Sequence, residues 1–158
     1  MLSATALVLI GPAAAAGPAL KPTSPPEGGY TLLLPVGWQL AKTPKPKHAH
    51  HIWRDPASPE ARVIVALSSC RTCVTNPKTR APDPNHALPA HVSSRTRLNR
   101  WQVIYTLKRQ RGSYRDRGTI IILHARNRIT GYARIDTQLP SELQPTSTAI
   151  LTSFHLRQ

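Results

Sequence analysis

The chain has 158 residues, enough for one domain with a substantial core and too few for two ordinary ones. Lys and Arg number 21 against 7 Asp and Glu, a formal charge of +14 that excludes a calcium-loading or acidic disordered protein and favours anionic partners. The 16 prolines are about twice the usual share, and with one Phe and one Met they argue against a helix bundle.

Residues 2–16 form an uncharged apolar run that ends in Ala14-Ala15-Ala16, the small-residue pattern of a cleavage site, and so read as a signal peptide. No Lys or Arg precedes the run, and no Cys follows it to make a lipoprotein. Gly11 and Pro12 interrupt it, and it falls short of the about 20 apolar residues that span a bilayer, so no transmembrane span is expected in the mature chain. Residues 17–29 are rich in Pro, Gly, Lys, Thr and Ser and predict a flexible leader. A single folded domain then occupies residues 30–158.

The domain opens with a β run, Tyr30 to Leu34, stopped by Pro35, with Gly37-Trp38 as turn and anchor. A Lys- and His-rich connection follows, in which His48, His50 and His51 offer imidazoles to a transition metal or form a solvated loop. Residues 62–68 are apolar on both faces and predict a central strand. Prolines 77, 82, 84 and 89 forbid a helix interior or central strand over residues 70–89, which must be a long loop. The stretch 90–139 has no proline and reads as β. Residues 92–98 form one strand, Asn99-Arg100 a tight turn, and Trp101, Val103, Tyr105 and Leu107 the inward face of the next, with Ile104 as an apolar exception outside. Residues 119–123 predict a buried strand. Arg126-Asn127-Arg128 turns the chain into a return strand with Ile129, Ala133 and Ile135 inward. Near the end, Pro145 suits the first position of a short helix whose buried face is Thr146, Ala149, Ile150, Ser153 and Phe154.

Two segments, Leu34-Pro35-Val36-Gly37-Trp38 and Ile150-Leu151-Thr152-Ser153-Phe154, bracket this meander. In that order the chain resembles the PsbP-like superfamily, which also holds the Mog-type Ran-binding factors and bacterial envelope proteins of the DcrB and LpqN groups. The resemblance implies an α+β fold: an antiparallel β-sheet with flanking helices, an α/β/α sandwich, with the C-terminal helix packed on the sheet. It also implies a non-catalytic binding module. The superfamily shares no catalytic residues, so none carries over, and fold alone does not name a ligand.

The chemistry-bearing motifs leave several readings open. Cys70-x2-Cys73-x12-His86-x4-His91 has the spacing of a two-Cys, two-His zinc site. A nucleic-acid finger needs a helix carrying both histidines, and Pro82, Pro84 and Pro89 deny it one. Cys70, Cys73, His86 and His91 then remain as a non-classical metal set. The same two cysteines form a disulfide in an oxidising compartment, and a thiol-redox site if the first cysteine lies at a helix N-terminus.

Lys108, Arg109, Arg111, Tyr114, Arg115 and Arg117 lie in a Gly-punctuated loop between strands, where guanidiniums can grip phosphate or carboxylate and Tyr114 can stack. From His91 to Leu139, 11 Lys and Arg stand against 2 acids, which concentrates the charge on these hairpins. Hydrolytic chemistry finds no G-x-S-x-G elbow, and Asp136 with His124 across the last hairpin is the acid–histidine pair nearest to hand. The chain thus reads as an exported, periplasmic or secreted, non-catalytic accessory module. Its partner is a protein or an envelope polyanion, namely phospholipid, wall polymer or lipopolysaccharide, and no cofactor is expected. The alternatives are a thiol-redox or metal protein on Cys70 and Cys73, or an intracellular nucleic-acid binder.

Overall fold

A computed structural model describes residues 17–41, 50–112 and 114–157, and for residues 109–111 it describes the backbone alone. The signal-peptide expectation for residues 1–16 and the histidine-cluster expectation at His48 lie outside these. No helix among the described residues is long and apolar enough to cross a membrane.

Ten strands and one α-helix are described: β1 (Leu20–Thr23), β2 (Tyr30–Pro35), β3 (Gln39–Leu40), β4 (His50–Arg54), β5 (Arg62–Ser68), β6 (Val92–Asn99), β7 (Gln102–Arg111), β8 (Tyr114–Ala125), β9 (Arg128–Leu139), α1 (Ser147–Thr152) and β10 (His155–Leu156). They form a seven-stranded sheet in the order β3-β4-β5-β9-β8-β7-β6 and a three-stranded sheet β1-β2-β10, all antiparallel. The fold is α+β.

The expected flexible leader is a correction. Residues 20–23 pair with β2 from Leu20 opposite Pro35 to Thr23 opposite Leu32. Further on, the Glu27 carboxylate meets His51 on β4. Composition alone hides this, because the ladder uses backbone groups, and Pro22 is accommodated on an edge strand.

The main core lies between the two sheets. Tyr30, Leu32 and Leu34 of β2 are fully buried against Val63, Val65, Ala133, Ile135 and Leu139, with Ile150, Leu151 and Phe154 closing one end. The Trp53 indole donates to the Tyr30 hydroxyl at 3.1 Å, and Tyr30 stacks on Phe154. The Ser153 hydroxyl accepts from the Leu33 amide at 2.9 Å, which ties the helix end to β2.

A second core lies on the other face of the large sheet, where Val103, Tyr105, Ile120 and Ile122 are covered by the proline-rich loop through the fully buried Val74, with Ala87 and Leu88 packed alongside. Burying Val74 alone contributes about 2 kcal/mol. Here lies the reason for Ile104: β7 is covered on both sides, with Ile104 in the main core and its neighbours in the second. The expected α+β arrangement, an antiparallel sheet with the C-terminal helix packed on it, is present, with α1 as the one α-helix among the described residues. One face of the large sheet carries α1 and the small sheet. The other is covered in part by a loop with two short 3-10 turns, Thr72–Val74 and Pro84–Ala87.

Two phase corrections follow from local irregularities. Leu123 pairs with Gly131 but His124 pairs with Ile129, so Thr130 is an extra residue that turns Ile129 away from Ala133 and into the second core. Ser141–Thr146 is a 3-10 turn containing Pro145, and α1 begins only at Ser147. Thr146, Ile150 and Phe154 are buried as expected, but the tighter winding adds Ser147 and Leu151 to the buried face and leaves Ala149 exposed.

Candidate functional site

The Arg-rich segment is the first candidate. Strand β7 runs to Arg111 and β8 starts at Tyr114, so most of the expected loop is instead the arms of a long hairpin. Of the six residues, those whose side chains are described take different places. Lys108 and Arg115 are exposed. The Tyr114 hydroxyl shares a hydrogen bond with Ser58 at 3.0 Å while its ring packs on the main core. Arg117 reaches α1, where its guanidinium donates to the Ser147 and Thr148 hydroxyls. The side chains of Arg109 and Arg111 lie outside the described residues.

The cysteine loop is the second. The sulfurs of Cys70 and Cys73 stand at disulfide distance, with Cα atoms 5.5 Å apart. His86 lies in the Pro84–Ala87 turn with Nε2 3.4 Å from Asp83 Oδ2, and His91 adopts a left-handed backbone with φ 65°. Among the described residues no three His, Cys, Asp or Glu side chains gather as a metal site, so Cys70, Cys73, His86 and His91 are not brought together as a set. The Asp83 carboxylate accepts from the Asn85 amide at 3.1 Å and from its side chain at 2.9 Å. Burial opposes its ionisation, but these bonds, with His86 and Arg97 nearby, hold the carboxyl below its ordinary range.

The third is a cluster on the partly open face of the large sheet. Tyr105 of β7 donates its hydroxyl to Asp136 of β9, and Arg134 pairs with the other carboxylate oxygen at 2.8 Å. Gly118 of β8 lies between them, opposite both Tyr105 and Asp136. A Cβ there would collide with the Tyr105 ring, its hydroxyl and the carboxylate. Burial first, and then the Asp136 charge, push the Tyr105 phenol well above its ordinary range, so it acts as a fixed donor and not as a base. The expected pairing of Asp136 with His124 is corrected by register: Asp136 faces Gly118, whereas His124 faces Ile129 near the opposite end of the hairpin. His124 instead stacks on Trp101 at 4.0 Å, and the Arg100 guanidinium lies over the same indole at 4.3 Å.

No family model matches the chain, and no curated protein matches it in sequence. Solved structures do. Cyanobacterial PsbP (CyanoP) from Synechocystis sp. PCC 6803 superposes with a TM-score of 0.52 at 16% identity, covering 94% of this chain and 99% of that one. The fold is PsbP-like. The same PsbP-like arrangement appears in the Saccharomyces cerevisiae Ran-binding protein Mog1p, with a TM-score of 0.52, 9% identity, and 89% and 96% coverage. A protein from Bacteroides thetaiotaomicron VPI-5482 gives 0.53 at 10% identity over 87% of this chain and 48% of its own. At such identities the PsbP-like likeness concerns the fold, and the site must be argued from this chain's residues.

Proposed function

We propose that this PsbP-like domain is an exported, non-catalytic binding module of the cell envelope that holds an anionic partner against its basic hairpin. One observation carries the reading: three of the seven carboxylates are engaged by neighbouring side chains, while cations of the hairpin face outward. Asp136 is taken by Tyr105 and Arg134, Asp83 by Asn85 and His86, and Glu27 by His51. Lys108 and Arg115 are exposed on the hairpin, and Arg109 and Arg111 belong to the same basic run. That Mog1p is a Ran-binding protein supports a binding role for the shared fold. In an envelope the matching anions are phospholipid head groups, wall polymers and lipopolysaccharide. Tyr114 and Arg117 brace the hairpin, through Ser58 and α1, and do not touch the partner.

The test is retention on anionic vesicles and on heparin at low salt. Replacing Arg109, Arg111 and Arg115 together by Gln is expected to abolish most retention, and rising salt to weaken that of the parent steeply. Equal retention of parent and variant overturns the hairpin reading. Mass-spectrometric detection of a mature N-terminus near Gly17 tests export, and an intact Met1 in the expressing cell overturns it.

A further inference from the structure

A groove of about 370 Å³ lies at the other end of the sheet from the basic hairpin turn, between the cysteine loop and the β8–β9 turn. Arg71, Arg80 and Arg128 line it, with the hydroxyl-bearing Thr72 and Thr75 and the amide of Asn127, and no carboxylate contributes to the lining. Among the described residues no Asp or Glu forms an ion pair with any of the three arginines. All three are solvent-exposed, and an anion held between them relieves what repulsion the solvent leaves.

Each arginine is held by a separate backbone device. Arg71 and Thr72 are the two residues enclosed by Cys70 and Cys73. Arg80 sits at φ 60°, where its amide donates to the Asn76 carbonyl at 2.8 Å and the Asn76 amide returns a bond to Ala81 at 2.9 Å. Arg128 follows Arg126 and Asn127, both left-handed, and opens β9. Thr75 bridges to Pro82 across the loop, and the Arg97 guanidinium braces Pro82 by donating to its carbonyl at 3.4 Å.

The geometry points to a phosphate-binding site. A carboxylate has two oxygens, which a single guanidinium fork satisfies. Three forks call for an anion with more oxygens and up to two charges, which a phosphate ester or free phosphate provides, while the Thr75 hydroxyl is directed to the Thr72 carbonyl at 3.4 Å. The site is independent of the hairpin proposed above, and the Cys70–Cys73 link positions its first arginine.

The experiment is a titration of the folded protein, followed at its assigned backbone amides, with inorganic phosphate, glycerol phosphate and acetate. Saturable shifts confined to residues 71–75, 80 and 127–128 are expected for the two phosphates, and none for acetate. Arg71→Gln and Arg128→Gln should each weaken phosphate binding about fivefold. The charge-matched Lys21→Gln, on exposed β1, should leave it unchanged. Reduction of the cysteines should weaken it as well, and if the reduced protein unfolds the two arginine variants still decide the matter. Competition by phosphatidylglycerol vesicles identifies a lipid head group as the source of the phosphate, and its absence identifies a soluble ester. No saturable shift, an equal response to acetate, or an equal loss in the Lys21 variant overturns the site. These amide shifts are read apart from heparin retention, so failure of the groove and failure of the hairpin are told apart.

Discussion

The Tyr105 hydroxyl donates to the Asp136 carboxylate directly over Gly118, so three adjacent strands meet at one hydrogen bond that exists because the middle strand lacks a side chain there. With Arg134 on the other oxygen, the carboxylate is both neutralised and oriented. The group ties β7, β8 and β9 together.

Gly118→Ala should therefore destabilise the fold by about 1–3 kcal/mol, since the methyl group must push apart a packed ring and a carboxylate. Tyr105→Phe, which keeps the ring and loses the donor, should cost about 1 kcal/mol. Urea unfolding of both variants checks the pair. A neutral Gly118→Ala variant would show that the three strands do not meet as described.

Arg115 and Arg117 are close in sequence and differ in use. Arg117→Gln releases the Ser147 and Thr148 hydroxyls on α1 and should lower stability by about 1–2 kcal/mol. Arg115→Gln, on an exposed position, should stay within about 0.5 kcal/mol while reducing retention on anionic vesicles. Thermal unfolding and vesicle binding measured on both variants separate the bracing arginine from the binding one.

Tyr30 predicts the alkaline limit. Burial, aided by the Glu27 charge and opposed by the Trp53 N–H bond, pushes its phenol from 10.0 up to about 12. The folded protein holds its proton more tightly than the unfolded chain, so this stabilisation is complete below pH 10 and is lost as pH rises from 10 to about 12. Ultraviolet titration should show a late phenolate step that Tyr30→Phe removes. A Tyr30 phenolate forming near pH 10 in the folded protein would contradict its buried position.

Asp83 sets an acid limit on the proline-rich loop. Its folded carboxyl lies below the ordinary 3.8, so its contribution is present above that pH and is lost as pH falls through the lower folded value. Asp83→Ala removes the cap of the Pro84–Ala87 turn and should cost about 1 kcal/mol at neutral pH. Hydrogen exchange at Asn85 to Leu88 should accelerate in the variant and, in the parent, below pH 3.8. Unchanged exchange in the variant would remove Asp83 from that role.

Much of the architecture was legible locally. The proline-free stretch, the alternation along β6, β7 and β9, the hairpin turn at Arg126-Asn127 and the packing signals around Trp38 and Phe154 each depend on neighbours within a few residues, and they placed an antiparallel sheet closed by a C-terminal helix. The fully buried Val63 and Val65 of β5 likewise follow from an apolar run too short for a helix. The excess positive charge is a property of composition, and no arrangement of the chain alters it.

Tertiary structure alone decided which face each residue serves. A loop that must avoid helix and central strand can still cover a sheet, and Val74 does so, turning what reads as an outer face of β7 into a second core. One extra residue at Thr130 moves Ile129 to the other side, because side-chain direction alternates with every step. The arginines are divided too: Arg117 is committed to the helix, Arg115 is left to the solvent, and Arg71 and Arg80 meet Arg128 from segments distant in the chain. The sum of the charges belongs to the sequence. Their division into braces, an open hairpin and a shared groove follows from long-range pairing, which no local pattern encodes.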